Sequence, residues 1–458
     1  MAETARSAVS VVWGRLLRGG DSGLREVFEL LRNESRARVF FLALTQSGLG
    51  TGAAYVALLL VAYERFDSPW AIGLILFADV APAMLLGPVF GAVADRWSRR
   101  ACLVTADVLR AGAFAAILMV DSFEATFGFA LLVGIGTGLF TPAALASLPS
   151  LVEKRRLPAA TSLYGAATDL GFIAGPGIAA LLLVLGGPET ILAGNAVTFG
   201  ASALLLAPLA FGQVAAKDTS SARPSLMREA RDGLAATIGM RGLRLILLAS
   251  ATVLLFGALF NVAELLLVQD VLGGGGTAFS ILVVVYGGGF IAGTVSGSKG
   301  GGLLLLRRRY LGGVLIMSTG YLVSGIAPSL LAVGAAFAVA GFGNGVLLVY
   351  ERLLIQRLVP DRLAGRVFGV KDALTAWAFA LGFLLGPAMI ELLGVRELVV
   401  AAGVGGLVVW LVAFAGLRGR DLGPEPEVFP EPELLDARGQ RFRRDRSAGE
   451  ERPDLVRG

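Results

Sequence analysis

The chain has 458 residues, of which 55% are hydrophobic and only 16% charged, against about 25% charged residues in ordinary soluble domains. That arithmetic excludes a string of soluble domains and points to a membrane-embedded body with a net charge of +5, carried almost wholly by Arg. The absence of His excludes imidazole triads, bases and metal sites, and a single Cys, Cys102, excludes intrachain disulfides and multi-cysteine clusters.

In chain order, residues 1–38 are Arg-rich and contain an amphipathic stretch, Leu24 to Arg36, suited to the inner membrane surface. A hydrocarbon core of about 30 Å needs roughly 20 apolar residues per helix. Windows of that size predict twelve spans, 39–63, 70–93, 101–120, 126–150, 159–186, 190–212, 243–268, 277–298, 310–327, 329–355, 366–393 and 397–417. The expected fold class is therefore an all-α integral membrane protein. Residues 213–242 read as a polar linker with an amphipathic helix. The tail, 418–458, alternates Pro and Glu from Pro424 to Glu433 and then turns Arg-rich; it cannot bury a core and is expected to be disordered.

Lys and Arg concentrate in alternate connections. Arg96, Arg99 and Arg100 lie between spans two and three, Lys154 to Arg156 between four and five, and Lys217 to Arg244 between six and seven. Lys299 and Arg307 to Arg309 lie between eight and nine, and Arg357, Arg362 and Arg366 between ten and eleven; the other side has only Arg65 and Arg396. The positive-inside rule then places both termini in the cytoplasm of a multi-pass cell-membrane protein.

A repeat at an offset of about 210 residues divides the chain. Gly134-Ile-Gly136-Thr-Gly138 in span four returns as Gly341-Phe-Gly343-Asn-Gly345 in span ten. Gly87 and Gly91 return as Gly293 and Gly297, and Gly171-x-x-x-Gly175-Pro176 as Gly382-x-x-x-Gly386-Pro387. The predicted organisation is two parallel six-helix halves, 39–212 and 243–417, joined by the linker. Transporters built this way place their substrate site between the repeats.

The loop after span two reads Gly91-Ala-Val-Ala-Asp95-Arg96-Trp97-Ser98-Arg99-Arg100. It resembles motif A of the major facilitator superfamily, with Ser98 where that pattern has Gly. Gly171, Gly175 and Pro176 resemble the kinked motif C of span five, with Ala179 and Ala180 replacing its trailing glycines. Asp107-x-x-Arg110, Thr141-Pro142-Ala143 and Gln356-Arg357-x-Val359-Pro360 resemble the twelve-span drug/siderophore exporter branch, which is macrolide-efflux and enterobactin-exporter-like. Thr51 departs from that branch, and the span-four Arg of motif B is absent.

The resemblance implies a monomeric transporter of small amphiphilic molecules, lipid-embedded and proton-coupled, with no cofactor, no enzymatic activity and no nucleic-acid partner. Its motif A would latch the halves on the cytoplasmic side, with Asp95 facing the start of span eleven near Arg366. It also implies that spans one, four, seven and ten line the cavity, which nominates Gln46, Tyr55, Phe140, Phe256, Asn261 and Asn344. An uncoupled facilitator or importer, and a non-transporting membrane sensor or scaffold, are the alternative readings.

Ionisable residues at membrane depth are costly and are functional candidates by default. Asp79, Asp169 and Glu264 are the coupling candidates, with Glu264 also near enough to the outer end of its span to reach the interface. Asp107 and Arg110, three apart on one helical face, are expected to form a structural ion pair. Glu351 and the Lys371-Asp372 pair lie near the cytoplasmic ends, where snorkelling or gate salt bridges are expected.

Overall fold

The computed structural model describes residues 21–211, 234–235, 237–296 and 302–418. The first 20 residues, Lys217 to Arg231 of the linker, Gly297, Lys299 and the Pro/Glu tail lie outside the described residues. Among the described residues the chain is helical and has no strand. An amphipathic helix, α1 (Asp21–Asn33), precedes α2 (Ser35–Phe66), α3 (Pro69–Leu85), α4 (Gly87–Arg96), α5 (Arg99–Ile117), α6 (Phe123–Leu151) and α7 (Leu157–Leu206). After the linker come α8 (Arg241–Leu266, continued by a π-helical turn, Leu267–Val271), α9 (Gly275–Ser296), α10 (Leu303–Ile326), α11 (Leu330–Leu358), α12 (Asp361–Leu393) and α13 (Val395–Leu417).

Length and apolarity alone mark eight segments as long and apolar enough to cross a membrane, fewer than the twelve expected, for identifiable reasons. The segment covering α7 breaks at Gly186 and Gly187, where Gly187 has φ 75° and Pro188 follows; it supplies two antiparallel arms. The predicted second span divides at Leu86 into α3 and α4 because Pro88, at the start of α4, cannot donate an N–H to the preceding turn. Helix α5 carries Arg99, Arg100, Asp107 and Arg110, and α10 begins seven residues before the predicted 310, taking Arg307 to Arg309 into its first turns. The second arm of α7 stops at Leu206 instead of 212, two residues before Pro208.

Helix α1 packs on the bundle. Val27 and Leu30 are buried in one apolar cluster with Phe40, Phe41 and Leu206, and Arg156 reaches Glu34 at 3.9 Å.

With α3 and α4 taken as one span and the arms of α7 as two, the connections fall at an Arg-rich end and an Arg-poor end. The two Arg residues of the Arg-poor end have structural work: Arg65 donates to the carbonyls of Ile117 and Val120 at 3.0 and 2.8 Å. Arg396 donates to those of Gly325 and Ala327 at 3.2 and 3.0 Å. Each caps the carbonyl-rich terminus of a neighbouring helix, where a cation is favoured by the helix dipole.

The repeated glycines are contact points. Gly134 lies against the Ala78 and Asp79 carbonyls of α3, Gly138 against Phe90 and Ala83, and the middle Gly136 against α5. In the second half Gly341 and Gly345 lie against Tyr286 and Phe290 of α9, and the middle Gly343 against Met317 of α10. Gly171 and Gly175 press their backbone on Gly48 and Gly52 of α2, and Gly382 and Gly386 face Ala258 and Val262 of α8. Such backbone approach is what small residues supply in lipid, where packing replaces the hydrophobic drive. Gly87 and Gly91 break the pattern: space around them is open, whereas Gly293 abuts the Phe342 carbonyl. Helices α7 and α12 run through Pro176 and Pro387 without interruption, and the break in α7 comes at Gly186–Gly187 instead.

Candidate functional site

The interior of the first half holds an ion pair. Asp107 and Arg110, both on α5, are buried and bonded. The guanidinium carbon lies 4.1 Å from the Phe199 ring centroid and 4.6 Å from that of Phe140. Arg110 can reach there because Gly136 leaves its path clear; a Cβ at that position would meet Arg110 Cγ at 2.6 Å. Ser202 of α7 is buried beside the Asp107 carboxylate, and Asp79 of α3, half-buried, is within electrostatic reach of Arg110. A buried charge must be paired or left at a cost of several kcal/mol; the Arg110 guanidinium pairs with Asp107 and acts on Asp79 through space.

A second cluster lies between the halves. The Tyr55 hydroxyl of α2 donates to Glu264 Oε1 of α8 at 3.0 Å. Beside it, Asn344 Nδ2 of α11 donates to the Tyr286 hydroxyl of α9 at 2.9 Å, and Tyr321 of α10 lies near Tyr286. Phe260 stacks on Tyr321 at 4.3 Å and meets Phe337 at 5.2 Å, which in turn stands edge-on to Tyr286 at 6.4 Å. Tyr55, Tyr286 and Asn344 are partly exposed. Asp79 is within electrostatic reach of Tyr55 from the other side, so two of the three coupling candidates share one environment.

Two further hydrogen bonds join the halves nearer the Arg-poor rim. Tyr63 donates to Asp270, and Trp70 Nε1 donates to Glu391 Oε1 at 2.8 Å. Gly73 lies against Pro387, and Gly276 against Leu60 and Leu183. Tyr63 and Tyr55 are about 12 Å apart along the axis of α2 at 1.5 Å per residue, so the bonded contact extends from the rim toward the cluster. The halves are therefore in contact near the Arg-poor end.

The sequence-nominated residues therefore separate. Tyr55, Glu264 and Asn344 meet in one cluster, and Asn261, partly exposed, lies three residues before Glu264 on the same face of α8. Gln46 instead donates to the Thr198 carbonyl at 2.8 Å, tying α2 to the second arm of α7. Phe140 is buried against Arg110, and Phe256 packs on Gly405 of α13; these three serve packing within a half. Glu264 is 6% exposed, so it does not reach the interface, because a phenol inside the protein satisfies it. Glu351 is likewise buried, facing Ser250 and Lys371, and does not snorkel. Asp169 is half-buried on the first arm of α7.

In the motif-A segment Gly91 and Arg99 are partly buried and Arg100 is exposed, while the side chains of Asp95 and Arg96 lie outside the described residues. Ser98 Oγ accepts from the Ala101 N–H at 3.1 Å and caps α5. Tyr286, Tyr321 and Phe260 were not nominated from sequence. Their signal is Tyr within an apolar span: a phenol at such depth needs a polar partner, and three of the seven Tyr residues of the chain meet at this place.

Comparison with known proteins bears on what the site serves. Multidrug efflux pump Tap of Mycobacterium tuberculosis is 26% identical over 87% of this chain and 98% of its own length. An uncharacterised MFS-type transporter of Bacillus subtilis, YfiS, is 27% identical over 85% of this chain and 95% of its own. Macrolide efflux protein A of Streptococcus pyogenes is 22% identical over 76% and 87% respectively. The fold matches the nucleoside transporter NupG with a TM-score of 0.65 at 14% identity, covering 84% of this chain and all of that one. A bacterial Spinster homologue in an inward-facing, occupied conformation matches with a TM-score of 0.64 at 14% identity, covering 83% of this chain and 96% of that one. The Major Facilitator Superfamily profile matches residues 40–371. The chain thus belongs to the Major Facilitator Superfamily and is a multi-pass membrane transporter.

Proposed function

We propose that this transporter is a secondary active exporter of small amphiphilic molecules, driven by protons and working by alternating access between two six-helix halves. The observation that carries this reading is the bonded contact at the Arg-poor end, Tyr55–Glu264, Tyr63–Asp270 and Trp70–Glu391. Each bond joins one half to the other, and each is a single hydrogen bond between side chains that water can replace. Bonds of this kind can open as a set. The names of the Tap and macrolide-efflux relatives support export.

In this reading the Arg-rich end and both termini are cytoplasmic, and the described state is closed to the outside. Asp95 of motif A latches the opposite end when the outer contact opens. Asp79, Asp169 and Glu264 are the residues through which protons couple. A substrate site between the halves, bordered by the aromatic cluster, would suit amphiphilic solutes better than sugars or phosphates, which call for many donors or cations.

The test is efflux in a pump-deficient host, comparing wild type with Asp95→Asn across dyes, macrolides and siderophores. Wild type is expected to lower accumulation of at least one compound and the variant to lose that effect. No difference between wild type and empty vector across the panel would remove the export reading. Coupling is tested in vesicles: if Asp79→Asn, Asp169→Asn and Glu264→Gln each left pH-driven transport intact, coupling by these residues fails. The uncoupled facilitator reading, which the lack of an Arg on α6 favours, is supported if the wild type equilibrates substrate without responding to the gradient.

A further inference from the structure

We infer that the cluster around Glu264 binds the transported molecule as an organic cation, with Glu264 as its counter-ion. This rests on the transport reading but adds a chemical class to it. The argument starts from charge balance. Asp107 pairs with Arg110, Asp79 lies within electrostatic reach of the same guanidinium, and Glu351 lies within that of Lys371. Glu264, by contrast, faces the phenols of Tyr55, Tyr286 and Tyr321, and among the described residues no Lys or Arg pairs with it.

The chain itself contains a template for what such a carboxylate accepts. In the first half, Asp107 together with the faces of Phe140 and Phe199 holds the guanidinium of Arg110. The cluster between the halves has the same components: the Glu264 carboxylate and the aromatic side chains of Tyr55 and Tyr286, which are partly exposed where Arg110 is sealed. Phe337 stands edge-on to the Tyr286 ring, and Phe260 in turn packs on Phe337 and Tyr321. Aromatic faces beside a carboxylate attract a desolvated cation through both charge and ring quadrupole.

A third feature selects among cations. Asn344 spends its Nδ2 on Tyr286, and its Oδ1 is buried without a hydrogen-bond partner. A buried acceptor left open costs about 1–3 kcal/mol, and an N–H donor on the ligand would satisfy it. Carboxylate, aromatic faces and an amide oxygen together favour a protonated amine or an amidinium-like group on an apolar body.

The experiment is equilibrium binding to the purified full-length protein in lipid nanodiscs, with no gradient applied. Three probes separate the chemistry: rhodamine 6G is a cation with N–H donors, tetraphenylphosphonium is a cation without them, and Nile red is neutral. Glu264→Gln is expected to weaken both cations about tenfold or more, leaving Nile red within about twofold. Glu264→Asp should retain cation binding, and Asn344→Leu should weaken rhodamine 6G more than tetraphenylphosphonium. If Glu264→Gln does not yield folded protein, Tyr286→Leu against Tyr286→Phe reads the ring's contribution, with loss expected only for Leu.

Cations that bind Glu264→Gln as tightly as wild type would overturn the inference, as would an equal loss for Nile red or no cation binding to wild type. Because binding is measured without transport, those results leave the export reading standing. Intact cation binding with no efflux of any compound would sink the export reading instead.

Discussion

The two halves repeat a glycine frame and fill it with different chemistry. At the middle glycine of the triplet the first half receives the Arg110 side chain and the second the backbone of Met317, both residues being buried. Around Arg110 stand Asp107, Phe140 and Phe199; Met317 belongs to the apolar cluster of buried residues. The second half keeps its buried acids elsewhere, with Glu264 on the face of α8 that meets Tyr55. A repeat thus conserves helix spacing, which is set by backbone approach, while the ionisable groups are free to differ. The first half seals its charge inside itself. The second half presents carboxylates to its partner half, Glu264 in the cluster and Asp270 and Glu391 nearer the rim.

The harshest way to break the comparison is to give the first half the second half's solution. Arg110→Met leaves Asp107 buried without its cation and is expected to cost about 3–5 kcal/mol. The double variant Asp107→Leu with Arg110→Met should recover most of that, since an apolar replacement of a buried pair is often neutral. Thermal unfolding of purified protein followed by size-exclusion reports both. Equal stability of the single variant and wild type would mean that the pair is not structural.

Next in size are the middle glycines themselves. A Cβ at Gly343 meets backbone atoms of Met317, whereas at Gly136 the first atom met is Arg110 Cγ. Overpacking against backbone has less room to relax, so Gly343→Ala should cost more than Gly136→Ala within the about 1–3 kcal/mol typical of such changes. The reverse order in unfolding midpoint would show that the guanidinium's position is the less forgiving constraint.

The outer contact comes third. Tyr63→Phe and Trp70→Phe each remove one donor to a carboxylate from the opposite half. At about 1 kcal/mol per bond, each should raise the open population about fivefold. A cysteine at Leu60, which abuts Gly276, introduced with Cys102→Ser, would report this as faster labelling by maleimide added from outside. Unchanged labelling in the double variant would remove these bonds from the gate.

The frame was legible in the sequence because it is made of spacing: apolar windows gave the helices, and the glycine triplets gave the helix contacts at Gly134 to Gly138 and Gly341 to Gly345. The Asp107–Arg110 pair was legible because its partners are three residues apart. The cluster at Glu264 was only partly so. Tyr55, Glu264 and Asn344 could be nominated one at a time, but what joins them is tertiary: Tyr286 and Tyr321 arrive from helices whose rotation no local period sets. For the same reason Gln46, Phe140 and Phe256, polar or aromatic on the right helices, turn to neighbours within their own half. Breaks at Leu86 and Leu206 were missed where Pro88 and Pro208 outweigh an apolar run.

The smallest predicted effect concerns the one departure from motif A. Ser98 stands where the family pattern has Gly, and its hydroxyl accepts from the Ala101 N–H at 3.1 Å, capping α5. Glycine also serves at an N-cap, so Ser98→Gly should cost only a few tenths of a kcal/mol, whereas Ser98→Ala, with neither hydroxyl nor freedom, should cost about 1 kcal/mol. The order Gly above Ala in unfolding midpoint is the result to expect. If transport falls in both variants while stability follows that order, Ser98 acts in the motion of the loop as well as in the cap. If transport is unchanged in both, the serine is a local substitute for glycine, and the role of motif A rests on its charges.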